Sequence, residues 1–285
     1  MENIADFKVN LEKCISCGQC TKVCPGELIS LDKNRKSKIK EIKEFGWNGC
    51  WKCQHCLAVC PTGAISVLGV KAEECSETVP REKGVPVLDS LIRSRRSCRR
   101  YLDKNVQSEV IERILDTLQN IPNGGNKRLV EYTVIADKEQ VKYFRKLVSS
   151  KMKKLAAEGI YLEGFDKISY EQMEKWQDRV RPDMFFCSAP HLVIPHAPLG
   201  KGCPVQDVQI ACTYFDLMCA AEGLGSIMMT FPLDVLNLIP EVKKLLAIPD
   251  NHYIGSIIGF GYPEIIYKRG VKKEIEKKIH WHRFF

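Results

Sequence analysis

Eight of the fourteen cysteines lie between residues 14 and 61, in two copies of one pattern. Each copy has three cysteines separated by two residues, and a fourth after three more residues, directly before a proline. The two runs are Cys14, Cys17, Cys20 and Cys24, and then Cys50, Cys53, Cys56 and Cys60. Three thiolates with this spacing can wrap one loop around a face of an iron–sulfur cube, each reaching a different iron. The pattern therefore predicts electron transfer by two [4Fe–4S] clusters.

Both runs resemble the bacterial ferredoxin signature, in which the fourth cysteine binds the other cluster. A zinc ribbon would use two Cys-x-x-Cys pairs set well apart, and a disulfide framework would suit a short secreted chain. Neither matches triplets with a trailing Cys-Pro in a chain of 285 residues. The predicted ligands are Cys14, Cys17, Cys20 and Cys60 for one cluster, and Cys50, Cys53, Cys56 and Cys24 for the second.

The composition is that of a globular protein with about two domains, since 45% of the residues are hydrophobic and 27% are charged. No apolar run is long enough to span a bilayer, and the first residues lack the basic and apolar regions of a signal peptide. Thiolate-bound clusters also favour a reducing compartment. We therefore expect a cytoplasmic protein that binds neither a membrane nor nucleic acid.

The net charge of +8 is dispersed along the chain, and its densest stretch is residues 33–43, between the two cysteine runs. Residues 1–70 carry ten Lys and Arg against seven Asp and Glu, which gives this region a net charge of +3. Two interpretations stay open. The lysines form either a solvated face or a docking surface for an acidic electron carrier, steered by complementary charge.

The character of the sequence changes after the second cysteine run. We expect a cluster domain over residues 1–70, with short strands at residues 7–9 and 64–67. Residues 71–86 are rich in Glu, Lys, Pro and Gly without an apolar period, which predicts a linker. Residues 87–285 mix helical and strand patterns, which predicts an α+β domain.

Apolar spacing predicts the elements of that second domain. Helices are expected from about residue 87, over 108–120 with a serine cap, from an Asp137 cap to about 159, over 207–222, and over 233–247 with a break at Pro240. Strands are expected at residues 130–136, 191–195 and 253–260. His191 and His196, at the ends of one strand, are interpreted as structural rather than catalytic. The six cysteines outside the two runs lack ligand spacing.

A dense group of cations and a hydroxyl follows the first of these helices, in Arg95-Arg96-Ser97-Cys98-Arg99-Arg100. Guanidinium groups fork onto phosphate oxygens and a serine adds another bond, so this segment can bracket a phosphate. Arginine clusters also form solvated helix ends or nucleic-acid contacts. The segment resembles the opening motif of the FMN-binding nitroreductase family.

Three later segments strengthen that resemblance. Residues 121–126, Ile-Pro-Asn-Gly-Gly-Asn, resemble a turn at which the family's backbone approaches the flavin, and glycines permit such an approach. Residues 207–225 resemble the family's central helix with its Gly-Leu-Gly exit. The tail resembles the family in residues 239–241, 245–249, 258–263 and 279–281.

The resemblance implies an α+β fold that binds FMN between the two subunits of a homodimer. It implies a phosphate site at Arg95, Arg96, Ser97 and Arg99, joined by Lys268 or Arg269 from the tail. It implies that Pro122, Asn123, Gly124 and Asn126 border the flavin ring, and that Met228, Met229, Thr230 and Phe231 form the strip that faces flavin N5.

One departure concerns the residues after Asn126. Relatives commonly continue with Gln-Pro-Trp after one residue, whereas this chain has Lys127-Arg128-Leu129-Val130. Arg128 is either a flavin contact that favours anionic reduced FMN or a surface arginine. Cys98 has either a lowered pKa beside the arginines or no role. The aromatic stretch of residues 161–186 is a candidate wall over the substrate face.

Together these features predict a flavin-dependent oxidoreductase that passes electrons through two [4Fe–4S] clusters to FMN and on to a nitroaromatic, a quinone or another small electrophile. The expected donor is reduced ferredoxin, flavodoxin or NAD(P)H. No Gly-x-Gly-x-x-Gly follows a strand, so a Rossmann dinucleotide-binding domain is not predicted. The resemblance still allows NAD(P)H, because the family binds nicotinamide without a Rossmann domain. A redox-sensing or electron-storage flavoprotein without a dedicated substrate is the alternative, and a specialised relative that dehalogenates or cleaves flavin is a third.

Overall fold

The computed structural model describes residues 4–167, 183, 185–272 and 280–284. The chain forms two compact units. The first consists of Met1–Val79, Pro122–Leu129 and Gly200–Asp207, and the second of Pro80–Ile121, Val130–Leu199 and Val208–Phe285. Both contain helices and strands, as the α+β prediction requires. Two short segments of the predicted FMN domain thus belong to the first unit, and the domain boundaries at residues 70 and 86 stay a prediction.

The first unit is built from short elements around its cysteines. Strand β1 (Lys8–Val9) pairs antiparallel with β4 (Ile65–Ser66), where two strands are predicted. Strands β2 (Ile29–Leu31) and β3 (Ser37–Ile39) form a hairpin. Helices α1 (Gln19–Val23) and α2 (His55–Ala58) each lie within a cysteine run, and a 3₁₀ turn spans Ala72–Glu74. A small core that includes Phe7, Ile29, Ile42 and Leu57 packs beside the cysteines.

The second unit contains five of the longer helices. They are α3 (Arg81–Ser94), α4 (Ser108–Thr117), α5 (Lys138–Ala157), α6 (Pro204–Ala221, whose first turn belongs to the first unit) and α7 (Phe231–Leu238), followed by the short α8 (Pro240–Leu245). A 3₁₀ turn, Leu118–Asn120, extends α4. The Asp137 side chain caps α5 by accepting from the backbone N–H groups of Glu139 and Gln140, as predicted.

One antiparallel sheet organises this unit. Strands β5 (Glu131–Ile135), β6 (His191–Pro198), β9 (Ile257–Gly261) and β7 (Gly225–Met229) lie side by side in that order, and β8 (His252–Ile254) also pairs with β6. Alternate residues of β6 enter different cores. Leu192 and Ile194 pack with α5, α7 and α8, whereas Val193 packs with α4 and α6. The sheet is therefore covered on both faces, which explains why β6 is an almost uninterrupted apolar run.

Three predicted elements differ from the structure. Helix α3 begins at Arg81 rather than near residue 87, so the expected linker ends in a helix. The residue that precedes α4 is Gln107, and the predicted Ser108 cap is wrong because Ser108 is already helical. The single strand expected at 253–260 is two strands, β8 and β9.

The break between β8 and β9 is a bulge opposite β6. His196 pairs with Ile254 and Val193 pairs with Ile258, so two residues of β6 face three of the other segment. Pro195 has no N–H for the ladder, which favours an interruption at this point. The sequence shows the proline but not which strand will lie opposite it.

The fully buried His191 makes the second unit sensitive to acid. Its Nε2 accepts a hydrogen bond from the Val106 N–H at 2.9 Å, and burial lowers its pKa to about 4. Since the unfolded chain binds the proton near pH 6.5, the folded state is favoured above that pH and loses this advantage as the pH falls toward 4.

We expect the free energy of unfolding to fall by about 2 kcal/mol between pH 7 and pH 5 through this one group. Denaturant unfolding at several pH values should give a flatter dependence for His191→Gln than for the wild type. The exposed control His282→Gln should keep the wild-type slope. An unchanged slope in His191→Gln would contradict the assignment.

Candidate electron-transfer site

The eight cysteines of the first unit surround two cavities. Cys14, Cys17, Cys20 and Cys60 line one, and Cys24, Cys50, Cys53 and Cys56 line the other. Each run thus contributes three cysteines to one cavity and its fourth to the other, which are the two sets predicted from the spacing. Left-handed backbone at Gly18 and Gln54 turns each loop into its short helix.

The chemistry of the donor atoms fits iron–sulfur clusters. All fourteen cysteines lie in the described part of the chain, and none of them forms a disulfide. In both runs a backbone N–H group donates to the sulfur of the fourth cysteine. The Ala64 N–H donates to Cys60 Sγ at 3.2 Å, and the Leu28 N–H donates to Cys24 Sγ at 3.4 Å. Such bonds stabilise the negative charge of a bound cluster.

The second cavity shows why its thiols need a metal. Burial, and to a smaller degree the neighbouring sulfurs of Cys53, Cys24 and Cys50, raise the pKa of Cys56 to about 12. Burial also raises the pKa of Cys50. The four sulfurs that converge on this cavity would be held as thiolates when a metal supplies the positive charge. The role of these eight residues as ligands stays a prediction that this geometry supports.

The arginine segment of the second unit is fixed at the end of α3. The Cys98 N–H donates to the Ser226 carbonyl at 2.9 Å, which attaches the segment to β7. A Cβ at Gly225 would lie 2.6 Å from both Cβ and Sγ of Cys98, so the approach requires glycine there. Ser97 forms a bridge with Ser226 and therefore lies beside the same strand.

A buried carboxylate of helix α6, which no sequence motif indicated, contacts this segment. Asp216 of α6 lies 2.8 Å from Arg95 Nε through one oxygen and accepts a hydrogen bond from Ser226 Oγ at 2.6 Å through the other. The Arg95–Asp216 pair is close, but it lacks hydrogen-bond alignment. The sequence did contain a signal for this contact, which is an acidic residue within an apolar helix. A carboxylate buried in such a helix needs a cation or hydrogen-bond donors beside it.

Arg96 offers an unfilled donor. Its Nη1 donates to the carbonyls of Arg93 and Arg95, whereas its buried Nη2 has no partner among the residues that the structure describes. A buried guanidinium nitrogen without an acceptor fits the phosphate that the sequence predicts here. Arg99 donates to the Ser97 carbonyl at 3.2 Å, and Arg95 already has Asp216 as a partner.

We expect Arg96→Gln to weaken FMN binding about 10- to 100-fold, because a charge-assisted bond contributes about 1.5–3 kcal/mol. Quenching of flavin fluorescence during titration of the apoprotein measures this dissociation constant. The matched control is Arg81→Gln, an exposed arginine at the other end of α3. Equal affinity in both variants would argue against a phosphate at Arg96.

The tail passes the same end of α3. A Cβ at Gly270 would lie 3.1 Å from the Arg93 Cβ, so residues 268–270 run close to the start of the arginine segment. Lys268 and Arg269 are exposed there. The structure thus brings the tail cations near the C-terminal end of α3, while the contact of either side chain with phosphate stays a prediction.

The predicted strip that faces the flavin lies at the end of β7. Met228 is exposed and Met229 is buried, as alternation along a strand requires. Thr230 precedes α7, and Phe231 packs edge to face against Phe165 and Phe185.

The predicted ring-border turn lies in the first unit, after Pro122. The Gly124 N–H donates to the buried Asp207 at 2.8 Å, and a Cβ at Gly124 would lie 2.8 Å from Cys203 Sγ. The Asn123 side chain accepts the Arg128 N–H at 2.9 Å, and Asn126 Nδ2 donates to the Trp51 carbonyl at 2.8 Å. Asp207 begins the segment that resembles the family's central helix, and the contact of its carboxylate with the turn was not predicted.

Comparison with known proteins gives two family matches. The nitroreductase family model matches residues 92–262, and a 4Fe-4S dicluster domain matches residues 13–64. The chain belongs to the nitroreductase family. It is an FMN-dependent oxidoreductase with an N-terminal ferredoxin-type iron–sulfur domain.

Individual relatives agree with this division. A putative NADH dehydrogenase/NAD(P)H nitroreductase of Archaeoglobus fulgidus is 24% identical over 61% of this chain and 84% of its own length. A ferredoxin of Pyrobaculum islandicum is 37% identical over 27% of this chain and 62% of its own length. The crystal structure of a nitroreductase from Bacteroides fragilis with bound FMN aligns with a TM-score of 0.52 and 19% identity, over 68% of this chain and 97% of that chain. This alignment shows the shared fold.

Two remaining expectations for this nitroreductase-family chain have different outcomes. Burial raises the pKa of the Cys98 thiol, which donates to the Arg100 carbonyl at 3.1 Å, so the alternative of an activated thiol is wrong. Of the predicted substrate wall over 161–186, residues 168–182 and 184 lie outside the described residues.

In the described part of the chain, no helix has the length and apolar character needed to cross a membrane.

Proposed function

We propose that this nitroreductase-family protein passes electrons from a donor through two [4Fe–4S] clusters to FMN, where a small organic acceptor such as a nitroaromatic or a quinone is reduced. When bound, FMN supplies the conversion between one-electron and two-electron chemistry. The protein contributes the cysteine ligands and the phosphate site. We assign the reaction to the cytoplasm because thiolate-bound clusters favour a reducing compartment.

The hydrogen bond from Asn126 Nδ2 to the Trp51 carbonyl carries this proposal. Trp51 stands between Cys50 and Cys53 and lines the second cysteine cavity. Asn126 lies within the matched nitroreductase region, in the turn predicted to border the flavin ring. Both residues belong to the first unit. The bond therefore supports a relay that delivers electrons to FMN from the cluster of Cys24, Cys50, Cys53 and Cys56.

The remaining set, Cys14, Cys17, Cys20 and Cys60, would then hold the cluster that receives electrons first. Apolar side chains at Leu11 and Ile15 are exposed beside this set. They provide a surface on which a small donor protein can approach. We propose reduced ferredoxin or flavodoxin as the donor, with NAD(P)H as the alternative.

A homodimer is the second part of the proposal, and exposed apolar residues support it. Helix α3 has no buried residue, and Val85, Leu88 and Ile92 are about half exposed. Ile265, Ile266 and Tyr267 of the tail are also exposed. Apolar surface of this extent on a helix and an adjacent tail is typical of a subunit interface.

We expect the double variant Leu88→Glu/Ile92→Glu to weaken dimerisation by about 2 kcal/mol or more, as the loss of a central interface residue does. Light scattering coupled to gel filtration should show a monomer, and bound FMN should fall with it. Ser90→Glu adds charge to another face of the same helix and should remain dimeric. A dimeric double variant would contradict this interface.

Anaerobic purification followed by iron, sulfide and FMN analysis tests the whole proposal. We expect eight irons and one FMN for each chain. Stopped-flow reduction by ferredoxin and, separately, by NADH then identifies the donor. Turnover of nitroaromatics and quinones must exceed that of free FMN. A preparation that contains zinc instead of iron, or no FMN, would overturn the proposal, and turnover at the free-FMN level would favour a redox sensor.

A further inference from the structure

We propose that Glu131, His196 and His252 form a binding site for a divalent transition-metal ion of the zinc type, separate from the cysteines and from the arginine segment. One ligand atom from each of these three residues lies within 4.8 Å of the other two. The site belongs entirely to the sheet of the second unit. It goes beyond the proposed electron relay and does not depend on it.

Strand register brings the three side chains together. Glu131 of β5 pairs directly with His196 of β6. His252 of β8 pairs with Pro198, two residues along β6, so it lies diagonally from His196. Side chains that are directly opposite or two residues apart project from the same face of a sheet. The three ligands therefore share one face across three neighbouring strands.

The two imidazoles face each other through the same ring nitrogen. His196 Nδ1 lies 2.8 Å from His252 Nδ1, and the ring centres are 5.0 Å apart. Without a metal, this distance is a hydrogen bond between the two rings. Metal–nitrogen bonds of about 2.1 Å in a tetrahedral site place two ligand nitrogens about 3.4 Å apart. The two nitrogens therefore need to move apart by only about 0.6 Å to admit the ion.

A second contact orients His196 as metal sites require. Its Nε2 lies 3.1 Å from Thr133 Oγ1, on the strand that also carries Glu131. A metal-binding histidine generally uses its second ring nitrogen in a hydrogen bond that fixes the ring. The buried His196 has this bond on one side and the candidate site on the other.

The ligand set selects the class of ion. Two imidazoles and one carboxylate suit zinc and similar divalent ions, and they leave the fourth position for water. The exposed Glu131 supplies negative charge at the solvent side. Calcium and magnesium, which prefer sites built only from oxygen, are disfavoured.

The position of the site suggests what a bound ion would do. Strand β5 begins at Glu131, directly after Pro122–Leu129 and Val130, and β6 ends at Pro198, just before Gly200–Asp207. These are the two segments that join the first unit. An ion held by β5, β6 and β8 would fix the strand ends from which both segments leave the sheet.

The test uses the purified holoprotein, washed with chelator and titrated anaerobically with zinc alone against a competing chromophoric chelator. Anomalous diffraction at the zinc edge should locate zinc between the three side chains, apart from the iron. We expect Glu131→Gln and His252→Asn each to lose at least about tenfold in zinc affinity, and Thr133→Val to lose about tenfold.

Matched controls are His282→Gln and Glu139→Gln, which remove an exposed histidine and an exposed carboxylate elsewhere. Both should keep the wild-type affinity. Glu131→Gln changes an exposed side chain and should fold normally, so its result stands even if His252→Asn is unstable. Zinc density at the cysteines alone, or equal zinc affinity in the wild type and Glu131→Gln, would overturn the proposal and leave an ordinary histidine pair.

Discussion

Replacing Cys50 by serine is expected to abolish turnover driven by reduced ferredoxin while preserving reduction of bound FMN by dithionite. Cys50 shares its cavity with Cys24, Cys53 and Cys56, and the next residue, Trp51, accepts the bond from Asn126. A serine hydroxyl is a poor substitute for a thiolate ligand of iron. Iron content should fall by half, and the relay should lose the cluster that precedes FMN.

The comparison needs variants that separate loss of a cluster from loss of the fold. Cys75→Ser removes an exposed cysteine outside both cavities and should behave as the wild type. Cys60→Ser should also halve the iron, but through the other cavity. Circular dichroism and bound FMN establish that each variant remains folded before its activity is compared.

The donor decides the meaning of the result. Full ferredoxin-driven turnover in a folded Cys50→Ser protein with half its iron would contradict the relay through this cluster. Turnover with NADH that survives the substitution would show that nicotinamide reduces FMN directly. In that case the family assignment stands, and the clusters have another role.

The cysteine cavities could be predicted because their information is local. Spacing within residues 14–24 and 50–60 determines which thiols one loop can direct to one metal. The fourth cysteine of each run reaches the other cavity, as the ferredoxin pattern implies. The arginine segment was found for the same reason, since its chemistry lies within a few consecutive residues.

The supports of these sites could not be predicted because they depend on distant pairings. Asp216 meets Arg95 and Ser226 only after α6 packs under the sheet, and no short motif encodes this contact. The start of α3 was missed because its residues are exposed, so burial imposes no apolar period on the first turns. The cluster of Glu131, His196 and His252 likewise arises from register between three strands.

The buried charge of Asp216 makes the stability of the second unit sensitive to substitution at this position. We expect Asp216→Ala to lower the free energy of unfolding by about 2–4 kcal/mol, because it leaves Arg95 without its partner and Ser226 Oγ without its acceptor. This expected loss lies toward the lower end of the losses found when buried ion pairs are broken, because the Arg95 side chain is 33% exposed. Denaturant unfolding measures it.

Two further variants separate the charge from the packing. Asp216→Asn keeps an acceptor for Ser226 but removes the charge, so its loss should be smaller, and Asp116→Ala on the exposed side of α4 should change stability little. Combining Asp216→Asn with Arg95→Gln should cost less than the sum of the two single changes, because the pair is coupled. FMN affinity should fall with Asp216→Asn, since the arginine segment loses its anchor. Additive stability changes together with unaltered FMN affinity would show that Asp216 supports neither Arg95 nor the phosphate site.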